Sequence, residues 1–370
     1  MLLRGYHANP WELRAWTLLE DRFDVTVLVP GRNAFESNRL GVPSTRVHAF
    51  RDRLPAGRAA NAVAYALGDR YADLASHLAG AQIVHAAELA TWFSAQAAAL
   101  KPELGFRLAL TVWETIPFLD AYRWPRERRY RRSVMPAVDR FLATTERARA
   151  GLLLEGVDPD RVAVCEPGID LEHFSPEPRT ENLVLSPGRL VWEKGHQDVL
   201  RAVAALVRGL VGSSEATAAV RLLIVGAGPE AKRLERYARE LGIHDRVEFR
   251  PSVPYDEMPA VYARAACVAL ASLPTAGWEE QFGMVLAEAM AAGVPIVTTT
   301  SGAIPEVVAG EATLVAPGDY LPMARGIADA LELNARGTPR PVDRARAARF
   351  SNEAAAARIA AEYERLLARP

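Results

Sequence analysis

The chain has 370 residues, 50% of them apolar and 24% charged, with a formal net charge of −1. That length exceeds one usual hydrophobic core and predicts two domains, while the near-neutral balance gives no global electrostatic case for nucleic acid. The two cysteines, Cys165 and Cys267, suit neither a disulfide framework nor a zinc cluster and fit a reducing cytoplasm. No run reaches the ~18 uncharged apolar residues of a membrane span. The opening MLLRGYHANPW is too short and too polar for a signal peptide.

Short apolar runs then alternate with longer Ala- and Leu-rich stretches. DVTVLVP, TRVHAF, AQIVHA, RLALTV, RFLATT and RVAVCEPG read as buried strands. Helical stretches such as Pro10–Leu19, Ala59–Leu78 and Trp92–Leu100 lie among them. Asn9, Pro10 and Glu12 make a helix start from a capping side chain, a first-turn proline and a carboxylate. Phe174 to Asn182 is polar, proline-rich and aperiodic, and reads as a linker. After it the pattern restarts with NLVLSPG, VRLLIVGAG, RVEFRPS, CVALASL, PIVTTT and ATLVAPG. Such alternation predicts an α/β chain of two doubly wound parallel domains, at 1–174 and 182–345, with a helical tail over 346–370. Ligands of such sheets bind at the carboxyl ends of the strands, in a cleft between the two domains.

Residues that follow strands are therefore the candidates. His85 ends AQIVHA. In LSPGRLVWEKG, Gly188 breaks a strand and Arg189 and Lys194 follow in the loop, a fork and a point charge suited to a diphosphate. A solvated turn, its charges paired with Glu193 or Asp198, is the plainer alternative. In IVGAGPE, Gly226 and Gly228 let backbone approach a ligand, or simply make a tight turn, since the third glycine of a dinucleotide fingerprint is missing.

WEEQFGMVLAEAMAAG holds the densest signal. A helix starting near Gly283 would offer the N–H groups of Gly283, Met284 and Val285 to an anion. Glu288, about one and a half turns in, would angle back to accept two hydrogen bonds from a sugar diol. Glu280 in the preceding loop would accept from a second sugar. An ordinary ion pair for Glu288 is the alternative. The arginine-rich YRWPRERRYRR, Tyr122 to Arg132 with Arg128 within it, suits an anionic acceptor or membrane surface, or a solvated helix face. The Asp-x-Asp of GVDPDRV is split by proline and is not expected to hold a metal.

These segments together resemble the retaining glycosyltransferases of family 4. SPGRLVWEKG, IVGAGP, EPGIDLEHFSP and WEEQFGMVLAEAMAAGVPIVTTTSGAIPEVV carry the resemblance, which spans residues 140–330 and is loose before them. It implies a GT-B fold of two Rossmann-like domains facing a cleft, with a C-terminal helix crossing back. It implies transfer of a sugar from a nucleoside diphosphate sugar of GDP-mannose or UDP-glucose type. The acceptor would be a glycan, lipid or small molecule, with retention of configuration and no metal or other cofactor. Arg189 and Lys194 would neutralise the diphosphate, Glu288 would bind ribose and Glu280 the transferred sugar. Phe282, Gly283, Met284 and Val285 would contact sugar and phosphate. Gly5 stands alone, beside His7, where members carry a Gly-Gly turn. Trp113 stands where members carry a histidine, with Glu114 after it as a substitute contact or as a cap of the next turn. Gly5, His7, His85, Trp113 and Arg128 are thus the acceptor-side candidates. A nucleotide-sugar epimerase, a sugar phosphorylase and a non-catalytic nucleotide-sugar-binding protein are the alternatives. The expected location is the cytoplasm, peripheral to the inner membrane face.

Overall fold

In the computed structural model, which describes residues 1–55, 57–119, 125–175, 181–212 and 214–368, the chain forms two compact units. One comprises Met1–Gly168 with Phe350–Pro370, the other Ile169–Arg349. The chain therefore enters the second unit at Ile169, earlier than the polar stretch from Phe174 suggested. Ile169 and Phe174 are both buried, which is why they belong to the second unit despite the composition that follows them. Residues 176–180 of the expected linker lie outside the described residues.

The first unit is built on a parallel sheet of β1 (Leu2–Leu3), β2 (Val27–Pro30), β3 (Ser44–Val47), β4 (Ile83–Ala87), β5 (Arg107–Val112), β6 (Arg140–Ala143) and β7 (Val162–Val164). Their spatial order is β3-β2-β1-β4-β5-β6-β7. Leu3 of β1 pairs with Leu28, and Leu2 with His85. β1 is short, yet it sits inside the sheet between β2 and β4, because both its leucines are buried and helices cover the sheet. The first helix, Pro10–Thr17, starts as expected: the Asn9 side chain accepts from the Glu12 N–H at 2.8 Å, with Pro10 in the first turn. The stretch Ala59–Leu78 is not one helix. It divides into Arg58–Leu67 and Leu74–Leu78, because Gly68 leaves the helix at φ 82°. Asp69 then turns the chain by accepting from the N–H groups of Arg51 and Arg70.

The last helix, Asn352–Ala368, packs on this first unit through Ala355, Ala356, Ile359, Tyr363 and Leu366. Its Tyr363 hydroxyl accepts from Trp16 Nε1 at 2.9 Å and meets His85 Nδ1 at 2.6 Å. Glu362 forms a buried ion pair with Arg140.

The second unit has a parallel sheet of β8 (Leu183–Pro187), β9 (Arg221–Val225), β10 (Val247–Arg250), β11 (Ala265–Leu270), β12 (Ile296–Thr299) and β13 (Ala312–Val315), in the order β10-β9-β8-β11-β12-β13. All residues of β8 and β11 are buried, as expected for continuous apolar runs covered on both faces. The helices His196–Val207 and Tyr320–Ala335 cover one face. In both units the strand order reverses beside the first strand, between β1 and β4 and between β8 and β11. Among the described residues no helix is long and apolar enough to cross a membrane.

The terminal helix supplies the test of this arrangement. Tyr363→Phe should leave His85 Nδ1 and Trp16 Nε1 buried without a partner, at a cost of about 1–3 kcal/mol. Urea unfolding should show the midpoint falling with the slope unchanged. An unchanged midpoint would mean that these contacts do not hold the helix in place.

Candidate functional site

The glycine-rich turns of the second unit come first, because they set the loop that carries Arg189. A Cβ at Gly226 would lie 1.9 Å from the carbonyl oxygen of Gly188, and one at Gly228 would lie 2.2 Å from that of Leu190. The two loops are also bonded, Gly188 N–H to Val225 O and Leu190 N–H to Ala227 O, each at 2.9 Å. Gly226 and Gly228 are therefore required by a second loop pressed against them. That is the tight-turn reading of the motif, with backbone rather than ligand in the space a side chain would fill. Gly188 itself has φ 148°, a conformation that disfavours any side chain.

His196, fully buried, fixes the same loop from beneath. Its Nε2 donates to the carbonyl of Arg189 at 3.2 Å and its Nδ1 accepts from Ser186 Oγ at 2.9 Å, which assigns the neutral tautomer. Burial holds its pKa down at about 4, against the raising influence of the Arg189 carbonyl. Arg189 is exposed, and its guanidinium makes no hydrogen bond or ion pair to the described residues.

Lys194 has neither of the partners that a plain solvated turn would give it. Its Nζ donates to Glu280 Oε2 at 2.7 Å and lies 5.1 Å from the centre of the Trp278 ring. Asp198 instead pairs with Arg201. Ser272, just after β11, donates to the same Oε2 at 2.7 Å. Glu280 is 5% exposed, and its Oε1 makes no hydrogen bond or ion pair among the described residues. The backbone of Glu280 is pinned as well. Its carbonyl accepts from the N–H of Ala303 at 2.9 Å, and its N–H donates to Ser301 Oγ at 3.4 Å. A Cβ at Gly302 would stand 2.1 Å from that carbonyl oxygen, so the turn Ser301–Ala303 can press on Glu280 only with glycine there.

Gly283, at φ 85°, turns the chain into the helix Met284–Ala291. The N–H groups of Gly283, Met284 and Val285 precede the first intrahelical bonds and have no acceptor among the described residues. Phe282 is buried at 2% exposure, so its ring belongs to the core. Glu288, at 7% exposure, accepts from the Tyr262 hydroxyl at 2.8 Å on Oε2. It has no arginine partner among the described residues. Burial pushes its carboxyl up to about 7, and the Tyr262 hydrogen bond and nearby His173 only partly oppose that. Around it stand His173 and Tyr255, stacked at 5.4 Å, and Phe174, edge-on to Tyr255 and Tyr262. Sequence reasoning missed these aromatic neighbours, along with Ser272, Ser301 and Gly302. His173 lies in EPGIDLEHFSP, but no spacing rule connects it to a helix more than a hundred residues on.

In the first unit, the acceptor-side candidates differ in their surroundings. His85 is 0% exposed, with Nδ1 on Tyr363 and Nε2 2.8 Å from Thr111 Oγ1. Burial, then Arg4, hold its pKa well below the usual histidine range. It is an internal strut and offers no face to a ligand. Glu114 Oε1 accepts from the N–H groups of Thr115 and Ile116, which makes it the cap of the next turn. The N–H of half-buried Trp113 donates to Glu88 Oε1 at 2.7 Å. Glu88, which the sequence gave no reason to single out, follows β4 at φ 65°, a conformation rare for a residue with a side chain. Gly5 follows β1 with Phe93 3.1 Å from where its Cβ would be, and His7 is exposed. Arg128 is exposed on the helix Pro125–Ala137, whereas Arg131 of the same helix is buried and paired with Glu155. Residues 120–124, at the start of the arginine-rich stretch, lie outside the described residues. Among the described residues no group of three or more His, Cys, Asp or Glu side chains is placed to hold a metal ion.

The sequence profile described as "Glycosyl transferases group 1" matches residues 170–354, and that described as "Glycosyltransferase Family 4" matches residues 15–173. D-inositol 3-phosphate glycosyltransferase 2 of Catenulispora acidiphila is 35% identical over 255 residues, covering 63% of this chain and 57% of that protein. The D-inositol 3-phosphate glycosyltransferase of Nocardia farcinica is 34% identical over 200 residues, covering 49% and 42%. The chain thus spans about half the length of the curated relatives it matches. Among solved structures, Anabaena Alr3699/HepE in complex with UDP superposes with a TM-score of 0.77 at 19% identity, over 98% of this chain and 99% of that one. Sucrose-phosphate synthase from Thermosynechococcus elongatus gives 0.75 at 19% identity, over 100% and 99%. At that identity the likeness shows the fold, which is GT-B.

The raised pKa of Glu288 gives a stability test with a definite sign. The folded chain favours the protonated carboxyl, so this group stabilises the fold below its usual pKa of 4.5, and that contribution is lost as pH rises to about 7. Glu288→Gln should therefore match wild type near pH 4.5 and be the more stable by up to about 3 kcal/mol at pH 8 without ligand. Equal thermal midpoints for the two proteins at pH 8 would refute a buried, strained carboxylate.

Proposed function

Since the chain belongs to glycosyltransferase family 4, whose two sequence profiles between them match residues 15–354, we propose that it moves a hexose from a nucleoside diphosphate sugar, of GDP-mannose or UDP-glucose type, to a hydroxyl acceptor with retention of configuration. The observation that carries this reading is the helix start at Gly283 with a buried carboxylate on each side of it. Glu280 has Oε1 open while Lys194 and Ser272 hold Oε2. A sugar hydroxyl donating to Oε1 would be oriented by a carboxylate that cannot rotate away. Lys194 has three N–H donors and gives one to Glu280, so two can meet a phosphate oxygen. Arg189, with its whole guanidinium exposed, and the N–H groups at the helix start would complete the positive surround of a diphosphate. That charge supply is the reason to expect turnover without a metal ion. Glu288 would accept from the ribose hydroxyls, which in replacing water would favour its ionised form. The leaving phosphate, kept on the acceptor's side of the sugar, would take the acceptor proton in a front-face transfer.

The exposed Arg128, Arg129 and Arg132 support peripheral contact with an anionic membrane. Arg131 leaves that set because Glu155 holds it inside. Co-sedimentation with vesicles containing phosphatidylglycerol should fall when the three exposed arginines are changed to serine, and in high salt. Equal binding by the variant would assign the helix to solvent.

The two carboxylates should fail differently. Glu288→Ala should weaken both free nucleoside diphosphate and intact donor by about ten- to a hundred-fold, the value of a hydrogen bond to a charged group. Glu280→Ala should bind the nucleotide nearly as wild type and lose kcat, since its partner is the reacting sugar. Calorimetry with UDP and GDP, and product anomer analysis by NMR in EDTA, make the comparison. Equal loss of nucleotide affinity in both variants, inverted product, or turnover abolished by EDTA and restored by magnesium would each overturn part of this reading.

A further inference from the structure

The turn that leads into Glu280 runs along the surface and yet carries a tryptophan. Pro274, Thr275 and Ala276 are exposed, whereas Trp278 is half-buried. Its backbone closes the turn: the Thr275 N–H donates to the Trp278 carbonyl at 2.7 Å, and the Trp278 N–H donates to the Thr275 carbonyl at 3.4 Å. The chain then passes straight into Glu279 and Glu280, both buried. The Trp278 ring meets the Lys194 ammonium, whose Nζ lies 5.1 Å from the ring centre.

Lys194 is seated on the same segment through its own backbone. The Glu193 carbonyl accepts from the Leu273 N–H at 2.8 Å. On the other side, a Cβ at Gly195 would stand 1.8 Å from the carbonyl oxygen of Ala271. The backbone around Lys194 is thus fixed to the chain that runs from β11 to Trp278, and only the four-carbon stem is left to move. Its head is held by Glu280 Oε2 at 2.7 Å and by the indole face. The Lys194 side chain is 14% exposed and that of Glu280 7%, so this pair is largely out of water. Those are the conditions in which a cation over an indole is held most strongly.

An ammonium that serves both a carboxylate and a diphosphate is pulled by two anions. The diphosphate carries the larger charge, and a lysine on a flexible stem would follow it. Glu280 Oε2 would then be left with Ser272 alone. An indole face attracts the ammonium without adding a third negative charge to the site. We propose that Trp278 is a positioning residue of the donor site: its ring keeps the Lys194 ammonium on Glu280 when the donor diphosphate arrives, so that one lysine serves both anions. The carboxylate that orients the transferred sugar then keeps its anchor. This inference rests on the transferase reading and assigns Trp278 a role exerted through Lys194.

Replacing Trp278 in the full chain by mono-, di- and trifluorinated tryptophan tests it, because fluorine drains negative charge from the ring face while hardly changing its shape. Turnover is read as release of UDP from UDP-glucose and of GDP from GDP-mannose, and affinity by calorimetry with UDP and GDP. kcat should fall stepwise with each fluorine, by about two- to thirty-fold over the series. The nucleotide Kd should stay within about threefold, since Lys194 still reaches the phosphate. Trp278→Phe should lose less kcat than Trp278→Leu. In a Lys194→Met background the fluorine series should be flat, because no charge is left to attract. A tryptophan that only packs predicts equal kcat for all the fluorinated proteins. That result, or a loss of nucleotide affinity as large as the loss of kcat, would overturn the inference and leave the transferase reading standing. A wild-type chain that binds neither nucleotide and releases none from either sugar would remove the transferase reading, and the inference with it.

Discussion

A carboxylate placed deep in a protein must find donors to replace the water it gave up, and the site of the second unit is organised by how Glu280 does so. Lys194 and Ser272 saturate one oxygen, and the Ser301–Ala303 turn clamps the backbone on either side of the side chain. The cost of ordering these groups is met during folding, before any ligand arrives. Glu288, eight residues on, is handled in the opposite way. It keeps a single hydroxyl donor and stays far from comfortable when ionised. One carboxylate thus has one oxygen fully held within the protein and the other open, while the second carboxylate keeps a single donor in a buried place that disfavours its charge.

The first unit shows the same contrast at larger scale. Its central strand end is sealed around His85, Trp16 and Tyr363, a network in which each polar atom has found another. Elsewhere in the same unit, the Arg51 guanidinium lies over the Tyr6 ring and has no hydrogen bond or ion pair among the described residues. Polar groups left incomplete beside complete ones mark the places where a fold expects something it does not itself contain.

Much of this was legible in the sequence, for physical reasons that differ by residue. Apolar runs of four to eight residues gave the parallel strands because strands covered on both faces tolerate few polar side chains. Glu280 and Glu288 could be singled out because a carboxylate inside an Ala- and Met-rich helix needs a reason. β1 was hidden: two leucines make no periodic signal, and only the sheet around them defines a strand. The split at Gly68 was hidden within a strong helical composition. His85 misled, since a strand-end histidine looks the same in sequence whether a tyrosine from the far end of the chain covers it or not. Gly226 and Gly228 could be seen to need space, but not that a neighbouring loop takes it. Ser272, Ser301 and His173 carry no local pattern at all, because their roles are defined by distant backbone.

The route of the chain has a consequence for how the molecule is made. The second unit is one uninterrupted segment, so it can complete itself as soon as its last residues leave the ribosome. The first unit cannot, although it is synthesised first. Until the helix Asn352–Ala368 arrives, Arg140 lacks Glu362 and His85 lacks Tyr363, and the apolar face of Leu13, Trp16 and Val27 stays wet. The domain born earlier must therefore wait in an unfinished state through the synthesis of the whole of the later one.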